Sequence, residues 1–357
     1  MYIRIVLTIF YILIISSCSS SPKELDEKIS FDSKNNTFEF DQVSNLKLTE
    51  NQKIYGGTFI VALPNYKEFS EFNNFFQIGV VQAIKEHGIE NNIEFIIQEE
   101  LVPSEIKDNF LIGPVSKDLV KKLDGSISKD KALFLNETKI NFNITLDSNS
   151  QIKTLAKYLE SKQINRVGII SDELSDKEAE KKFKANWFDG YRDIITIEAD
   201  KQTNTDSRIK NFLDVTESND RYAKIDDASF SLVEFIPRTR DDIQQIIIFP
   251  EKTNRLYELA SLIRFNYGLN YEVIALTSKL DEKIDLNEIK LHNISLIDHT
   301  YENKFGFDLS KSRSFCLGYD SMLIAYALSN RIEGRIRGLL GIYSINSEFI
   351  EINSYIN

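Results

Sequence analysis

The chain has 357 residues, of which 54 are acidic and 43 are basic, so its formal net charge at pH 7 is −11. This acidic balance argues against nucleic acid and against electrostatic binding to anionic lipid, because both partners require a basic face. A chain of this length exceeds one ordinary hydrophobic core and predicts two lobes. Only two cysteines, Cys18 and Cys316, are present, so the fold depends on its apolar core rather than on intrachain disulfides.

Residues 1–17 have the layout of a secretory signal peptide. Arg4 precedes an apolar run from Ile5 to Ile15, which is too short to span the ~30 Å hydrocarbon core of a membrane. The four residues that end at Cys18 resemble the lipobox of bacterial lipoproteins, in which the cysteine is acylated and becomes the first mature residue. Ser19 at the second mature position is similar to lipoproteins of the outer membrane. We therefore expect lipidation at Cys18 and a location on the periplasmic face of the outer membrane. An ordinary signal peptide with an incidental cysteine is the alternative.

Residues 18–54 are polar and predict a flexible tether. From residue 55 onward, apolar strands alternate with amphipathic helices. The predicted strands are Thr58–Leu63, Glu94–Gln98, Phe110–Ile112, Ala132–Leu135, Arg166–Ile170, Ile194–Glu198, Ile246–Phe249, Glu272–Leu276 and Ile294–Ile297, with a closing hairpin at Tyr343–Ile352. The predicted helices are Glu71–His87, Lys117–Leu123, one that starts at Ser148 or Ser150 and ends at Ser161, Lys177–Trp187, Ser207–Leu213, Asn254–Asn266 and Tyr319–Arg331, with a polar surface loop at Thr216–Asp227. This alternation predicts an α/β protein with parallel sheets that carry helices on both faces.

Several different short motifs follow one another in a defined order through this region. They are Phe110–Val115, Ala132–Asn136, Ile236–Ile243, Ile246–Pro250, Leu317–Ala325, Gly338–Gly341 and the strands at Tyr343–Ile352. Together these motifs resemble the carboxy-terminal domain of the LpoA family, which are outer-membrane lipoproteins that activate class A penicillin-binding proteins. The resemblance covers residues 55–357 and lacks the helical-repeat amino-terminal domain of the best-known members.

The LpoA resemblance implies a two-lobed, type 1 periplasmic-binding-protein fold. One lobe would hold about 55–147 and 301–333, and the other would hold 148–300 and 334–357. It also implies a protein that is not an enzyme and that binds a class A penicillin-binding protein. The tether of about 35 residues would then have to provide the reach that a second rigid domain provides in the family.

The sequence contains no catalytic signature of the serine-hydrolase, zinc-protease, Cys-x-x-Cys, Walker or dinucleotide-binding kind. We therefore expect no catalytic residues, no cofactor and no metal site. His292 and His299 flank a predicted strand and would lie roughly 23 Å apart, too far to share a metal ion. His87 precedes Gly88 at a predicted helix end, where a cation favours the helix dipole.

Acidic residues at two places could be read as a site. Asp241 and Asp242 follow Arg238 and Arg240, so a pair of catalytic carboxylates is conceivable. Charges that form salt bridges at the entry to the next element are the favoured interpretation. Asp320 is expected in the first turn of a helix, where an acid favours the helix dipole.

Ser116 is the leading candidate for binding a ligand. It follows a predicted strand and starts a helix, the point at which amino-acid-binding members of this fold hold a ligand carboxylate. Asn136 and Glu137 follow the next strand and are predicted to face the same interlobe cleft. The alternative is that Ser116 only caps its helix.

Two functions therefore remain open from the sequence. The first is a lipid-anchored activator that binds a penicillin-binding protein and prefers its active conformation. The second is a lipid-anchored receptor that binds an amino acid or a small peptide in the cleft. A hydrolase is the third and least supported, because no motif indicates one.

Overall fold

The structure is a computed structural model of the chain. It describes residues 55–97, 103–106, 108–145, 148–171, 175–187, 193–198, 204–229, 234–280, 284–298 and 309–356. These residues belong to one unit, Val43–Asn357. The predicted signal peptide at 1–17, the tether at 18–54 with Cys18, and His299 lie outside the described residues.

Strands and helices alternate along the chain, as the sequence predicts. The helices are α1 (Ser70–His87), α2 (Pro103–Ile106), α3 (Lys117–Leu123), α4 (Ser148–Ser161), α5 (Lys177–Trp187), α6 (Thr205–Phe212), α7 (Val215–Ala228), α8 (Thr253–Phe265), α9 (Leu286–Leu291) and α10 (Leu309–Ser329). The strands are β1 (Phe59–Leu63), β2 (Ile93–Ile97), β3 (Phe110–Ile112), β4 (Ala132–Phe134), β5 (Phe142–Asn143), β6 (Arg166–Ser171), β7 (Asp193–Glu198), β8 (Gln245–Ile248), β9 (Glu272–Leu276), β10 (Ile294–Asp298), β11 (Gly334–Arg337), β12 (Gly341–Ile345) and β13 (Ile350–Ile356).

Sheet A consists of five strands in the order β2-β1-β3-β4-β5. All of its pairings are parallel, and Phe59 of β1 lies opposite both Ile93 and Phe110. Every side chain of β1, β3 and β4 is buried. Such continuous burial is typical of a parallel sheet that is covered on both faces, which explains the unbroken apolar runs in the sequence.

Helices α1 and α10 cover one face of sheet A and cross each other closely. A Cβ atom at Gly79 would overlap the Phe315 carbonyl, and one at Gly318 would overlap the Phe76 carbonyl. Only glycine allows the two backbones to approach this far. Helices α2 and α3 cover the opposite face through Ile106, Val120 and Leu123.

Sheet B contains eight strands in the order β11-β12-β13-β10-β9-β8-β6-β7. The strands from β6 to β10 are parallel and repeat the strand order of sheet A. Residues 334–356 add three antiparallel strands at the β10 edge. The predicted α/β fold with helices on both faces is confirmed, but sheet B is mixed rather than parallel. The boundaries predicted near 147 and 300 lie outside the described residues, the one near 333 falls between α10 and β11, and the assignment of two lobes stays a prediction.

Separate apolar clusters cover the two faces of sheet B. Helices α4 and α5 pack on one face through residues such as Leu155 and Trp187. Helices α6 and α8 pack on the other, with Phe212 and Leu256 among the buried side chains. Within the described residues, no helix has the length and the apolar character that crossing a membrane requires.

Two predicted elements are wrong in their type or bounds. Thr216–Asp227, predicted as a loop, is the helix α7, which buries only Val215 and Ser218 and so lacks an apolar stripe. Helix α10 begins at Leu309, well before the predicted start at Tyr319. Asp320 therefore lies in the middle of a helix rather than in its first turn.

Candidate functional site

A cleft of about 460 Å³ lies where the loops that follow the strands of the two sheets face each other. In open α/β sheets, ligands bind beyond the carboxyl ends of the strands at the point where the strand order reverses. The order reverses at β1 and β3 in sheet A and at β6 and β8 in sheet B. The lining is largely polar and charged, and it includes Lys117, Asn136, Glu137, Asp176, Glu178, Lys182, Ser278 and Lys279.

Ser116 begins helix α3, as predicted, but its hydroxyl makes no capping hydrogen bond. Its backbone is extended, and its carbonyl accepts the hydrogen bond from the Val120 N–H at 2.9 Å. The neighbouring Lys117, rather than Ser116, lines the cleft. The alternative, that the Ser116 hydroxyl only caps its helix, is therefore wrong, and the ligand-binding role of Ser116 stays a prediction.

Asn136 and Glu137 follow β4 and line the cleft, but they do so differently. The Asn136 Nδ2 donates to the Val115 carbonyl at 2.8 Å, and its Oδ1 accepts from the Glu137 N–H at 2.8 Å. Both ends of this amide are thus used internally: the Nδ2 connects two loops of sheet A, and the Oδ1 holds the turn at Glu137. The Glu137 side chain is exposed. Of the two, Glu137 is the one that can meet a ligand without breaking an internal contact.

The charged side chains from sheet B are largely paired with one another. Asp176 caps α5, because its Oδ1 accepts from the Ala179 N–H at 3.1 Å, and its Oδ2 lies 3.9 Å from the Lys279 Nζ. Glu178 and Lys182 form a salt bridge of 2.8 Å. This wall of the cleft is therefore built from internal ion pairs rather than from unsatisfied charges.

Glu180 lies behind that wall at the start of α5 and is buried. Its carboxylate accepts hydrogen bonds from the Ser171 hydroxyl and from Lys184, the latter at 2.6 Å. Burial by itself would raise the pKa of Glu180, but the hydrogen bonds from Lys184 and Ser171 and the nearby cations outweigh it and lower the pKa. The carboxylate is therefore charged and anchors the end of β6 to α5.

Two buried side chains that the sequence analysis missed hold the loop at Thr277 and Ser278. The Gln151 Oε1 accepts from the N–H groups of Thr277 at 3.1 Å and Ser278 at 3.0 Å. The Arg313 guanidinium donates to the carbonyls of Thr277 and Leu280, the latter at 2.8 Å. Arg313 thus connects α10, which packs on sheet A, to a loop of sheet B. Because the helix was predicted to start only at Tyr319, no pattern in the sequence placed Arg313 on it.

Asp320 forms a second connection between α10 and the strands of sheet B. Its carboxylate accepts from the N–H groups of Leu339 and Leu340 at 2.7 and 2.8 Å and from the Tyr343 hydroxyl at 2.8 Å. We call these four residues the Asp320 clamp. A Cβ atom at Gly338 would overlap the carboxylate, so glycine is required there. Complete burial raises the pKa of Asp320 to about 7, and the three donors oppose that rise.

Asp241 and Asp242 do not form a paired-carboxylate site. Asp242 accepts from the Arg240 guanidinium at 2.6 and 2.7 Å and from Arg166 at 2.9 Å, so the predicted salt bridges are confirmed. The hydrogen bonds from Arg240 lower the pKa of Asp242 to about 2.

The described histidines each contact one neighbouring polar side chain. The His87 Nε2 lies 3.0 Å from the Tyr319 hydroxyl, and the His292 Nε2 lies 3.1 Å from a Glu288 carboxylate oxygen. In the part of the chain that the structure describes, no cluster of three or more His, Cys, Asp or Glu side chains could hold a metal ion.

The fold and the position of the cleft define the class: this is an α/β protein with the periplasmic-binding-protein fold. Full-length LpoA from Haemophilus influenzae matches with a TM-score of 0.58 and 13% identity, over 86% of this chain and 58% of LpoA. The LpoA C-domain from the same organism, described as a regulator of PBP1A, matches with a TM-score of 0.60 and 13% identity, over 84% of this chain and 96% of that domain. A Chromobacterium violaceum protein, described as a branched-chain amino acid ABC transporter, matches with a TM-score of 0.62 and 14% identity, over 84% and 99%.

These likenesses, at 13 to 14% identity, establish the fold alone. They confirm the resemblance to the LpoA family at the level of the fold. The chain spans 58% of the length of full-length LpoA. No protein-family model matches the sequence, and a comparison with curated proteins finds no match either.

Proposed function

We propose that this protein binds a class A penicillin-binding protein and activates its synthesis of peptidoglycan, without catalysing a reaction itself. The observation that supports this most is the similarity to the LpoA C-domain, which extends over 96% of that domain and 84% of this chain. That domain is described as a regulator of PBP1A. The absence of catalytic motifs from the sequence supports a protein that acts by contact.

The mechanism we propose is differential binding. A protein that makes no covalent change can activate a partner only by binding its active conformation more tightly than its inactive one. The structure suits this task, because the buried contacts of Arg313 and the Asp320 clamp connect the elements of the two sheets. A body held in one arrangement loses less conformational entropy when it docks.

The proposed location is the periplasmic face of the outer membrane, with acylated Cys18 as the anchor. More than one acyl chain gives a firmer hold than the marginal binding of a single chain. A tether of about 35 residues has a coil dimension of roughly 30–35 Å. Its fully stretched limit is about 115 Å. Labelling with radioactive palmitate tests the anchor: we expect incorporation by the full chain and none by a Cys18→Ala variant. Equal labelling of both would contradict the assignment.

The activation proposal is tested with the full chain and the purified class A penicillin-binding protein of the same cell. We expect binding at micromolar concentration and a faster polymerisation of lipid-linked precursor when the two are mixed. A heat-unfolded sample of the same chain is the control and should have no effect. Absence of binding at micromolar concentration would defeat the proposal.

A second candidate function is a receptor for an amino acid or a small peptide. The cleft of about 460 Å³ and the fold shared with the Chromobacterium violaceum protein favour it. A ligand present at 100 times its dissociation constant should add roughly 2.7 kcal/mol to the free energy of unfolding. We would screen amino acids and muropeptides by thermal shift, with Glu137→Gln as the cleft variant. If none of them shifts the melting temperature, the receptor function is wrong.

A further inference from the structure

A second cavity, of about 1070 Å³, opens beside the cleft between α3, the end of sheet A, the start of α4 and the β12–β13 hairpin. One side of it carries four exposed lysines, which are Lys117, Lys121, Lys139 and Lys153. The β12–β13 side is largely apolar: it includes Phe349, whose side chain is 51% exposed, together with Ile350 and Ile352, and Glu351 is its one charged residue. We call this cavity the lysine groove.

The four lysines outnumber the three acids that line the same groove, which are Asp124, Glu137 and Glu351. None of the four lysines has a side-chain hydrogen bond or salt bridge to any described residue. Glu351 pairs with Lys157 at 3.3 Å. The Asp124 carboxylate accepts hydrogen bonds from neutral donors, including the Lys139 backbone N–H at 3.0 Å, and keeps its charge. Among the groove acids, only Glu137 lacks a side-chain partner within the described part of the chain. Although the whole protein has a net charge of −11, the lining of this groove therefore carries more positive than negative charge.

The spacing of the lysines suits one kind of anion. Lys117 and Lys121 lie four residues apart on α3, which corresponds to about 6 Å along the helix axis. In an extended peptide, side chains at positions i and i+2 point the same way and lie roughly 6.5–7 Å apart. Carboxylates at alternate positions of an extended segment therefore match this pair of lysines, while the intervening side chains face the apolar side of the groove.

The size and the two-sided lining favour a peptide over other anions. Pockets for small ligands occupy about 300–1,000 Å³, and this groove is at the upper end of that range and open. A polyphosphate would satisfy the lysines but would leave Phe349 and Ile352 uncovered. We propose that the lysine groove binds an extended segment of a partner protein in which acidic and apolar residues alternate. This inference does not depend on the partner being a penicillin-binding protein.

The test measures the binding of synthetic probes to the full chain in detergent by fluorescence anisotropy. The probes are a labelled peptide of alternating Glu and Val, a matched peptide of alternating Glu and Ser, and polyphosphate of similar charge. We expect the Glu–Val peptide to bind most tightly and to weaken about tenfold when NaCl is raised to shorten the Debye length. Failure of the Glu–Val peptide to bind, or equal binding by either other probe, would overturn the proposal.

Two charge-reversal variants locate the binding. Lys117→Glu with Lys121→Glu should weaken the Glu–Val peptide by about tenfold or more. Lys181→Glu with Lys224→Glu changes the net charge equally at exposed positions outside the groove and should leave the affinity within about twofold. Equal weakening by both variants would mean that only overall charge matters, which contradicts a defined groove. Because the four substituted lysines are exposed, both variants should fold. Their melting temperatures check this.

Discussion

The Asp320 clamp and the cleft both lie where elements of sheet A and sheet B meet, yet they are built in opposite ways. Asp320 is completely buried and accepts three hydrogen bonds from the segment that leads into β12. Around the cleft, Lys279 is 55% exposed and lies 3.9 Å from Asp176. Buried hydrogen bonds are costly to break, whereas exposed ion pairs contribute little to stability.

This contrast separates the part of the molecule that fixes its arrangement from the part that remains available to ligands. Helix α10 carries both buried connections, through Arg313 and Asp320. The exposed charged side chains of the cleft and of the lysine groove can bind a ligand in place of water or of a weakly held ion-pair partner. We therefore expect large effects on stability from changes at α10 and small ones from changes at the cleft.

The largest expected effect is a dependence of stability on pH through Asp320. Its pKa in the folded protein is about 7, above its usual value of 3.8, so the folded state retains a proton that the unfolded chain releases. This contribution is fully present below about pH 4 and is lost as the pH rises through about 7. The difference is worth on the order of 4 kcal/mol.

Denaturant titrations at several pH values measure this contribution of Asp320. We expect the free energy of unfolding to fall between pH 5 and pH 8 more steeply in the wild type than in the Asp320→Asn variant. The exposed Asp118 provides the control, and Asp118→Asn should keep the wild-type slope. Identical slopes for the wild type and Asp320→Asn would show that the clamp carboxyl does not titrate as stated.

The next largest effect is expected at the crossing of α1 and α10. Valine at Gly318 would overlap the Phe76 carbonyl, and a backbone contact cannot be relieved by a change of rotamer. Gly318→Val should lower the free energy of unfolding by about 3 kcal/mol, measured by urea denaturation. Gly56→Val is the control, because no atom lies within 4 Å of its added Cβ. A wild-type midpoint for Gly318→Val would show that the two helices do not cross as described.

A smaller effect is expected from the helix cap on the cleft wall. Asp176→Ala removes the acceptor for the Ala179 N–H and should cost about 1 kcal/mol. Asp176→Asn retains an acceptor oxygen and should recover most of that loss in the same urea titrations. If the alanine and asparagine variants were equally destabilised, the cap would not be the cause.

The smallest effect is expected for the exposed partner of the same aspartate. Lys279→Ala removes a cation 3.9 Å from Asp176 and should change the free energy of unfolding by less than about 0.5 kcal/mol. Differential scanning calorimetry should place its melting temperature beside that of the wild type. A loss as large as that of Asp176→Ala would show that the ion pair, and not the helix cap alone, stabilises this wall of the cleft.

Local sequence patterns were sufficient to predict the strands that are buried on both faces. The runs at 59–63 and 110–112 are apolar throughout because both faces of sheet A are covered, and both strands are confirmed. Helix α7 was missed because only Val215 and Ser218 are buried in it, so its sequence has no apolar stripe. The early start of α10 was missed because its serine-rich beginning is stabilised by packing rather than by intrinsic helix preference.

The sequence by itself determined the α/β class, the order of most strands and helices, and the loop after β4 that lines one side of the cleft, since these follow from patterns along neighbouring residues. Only the tertiary structure decided that Asp320 meets Leu339 and Leu340, that Arg313 meets Leu280, and that the lysines of α3 face the β12–β13 hairpin. The clamp joins helix α10 to the turn between β11 and β12, and Arg313 reaches a loop more than thirty residues away. The groove brings together α3 and the β12–β13 hairpin, which lie far apart along the chain. No local period records such distant pairings, because each depends on how whole elements pack against one another.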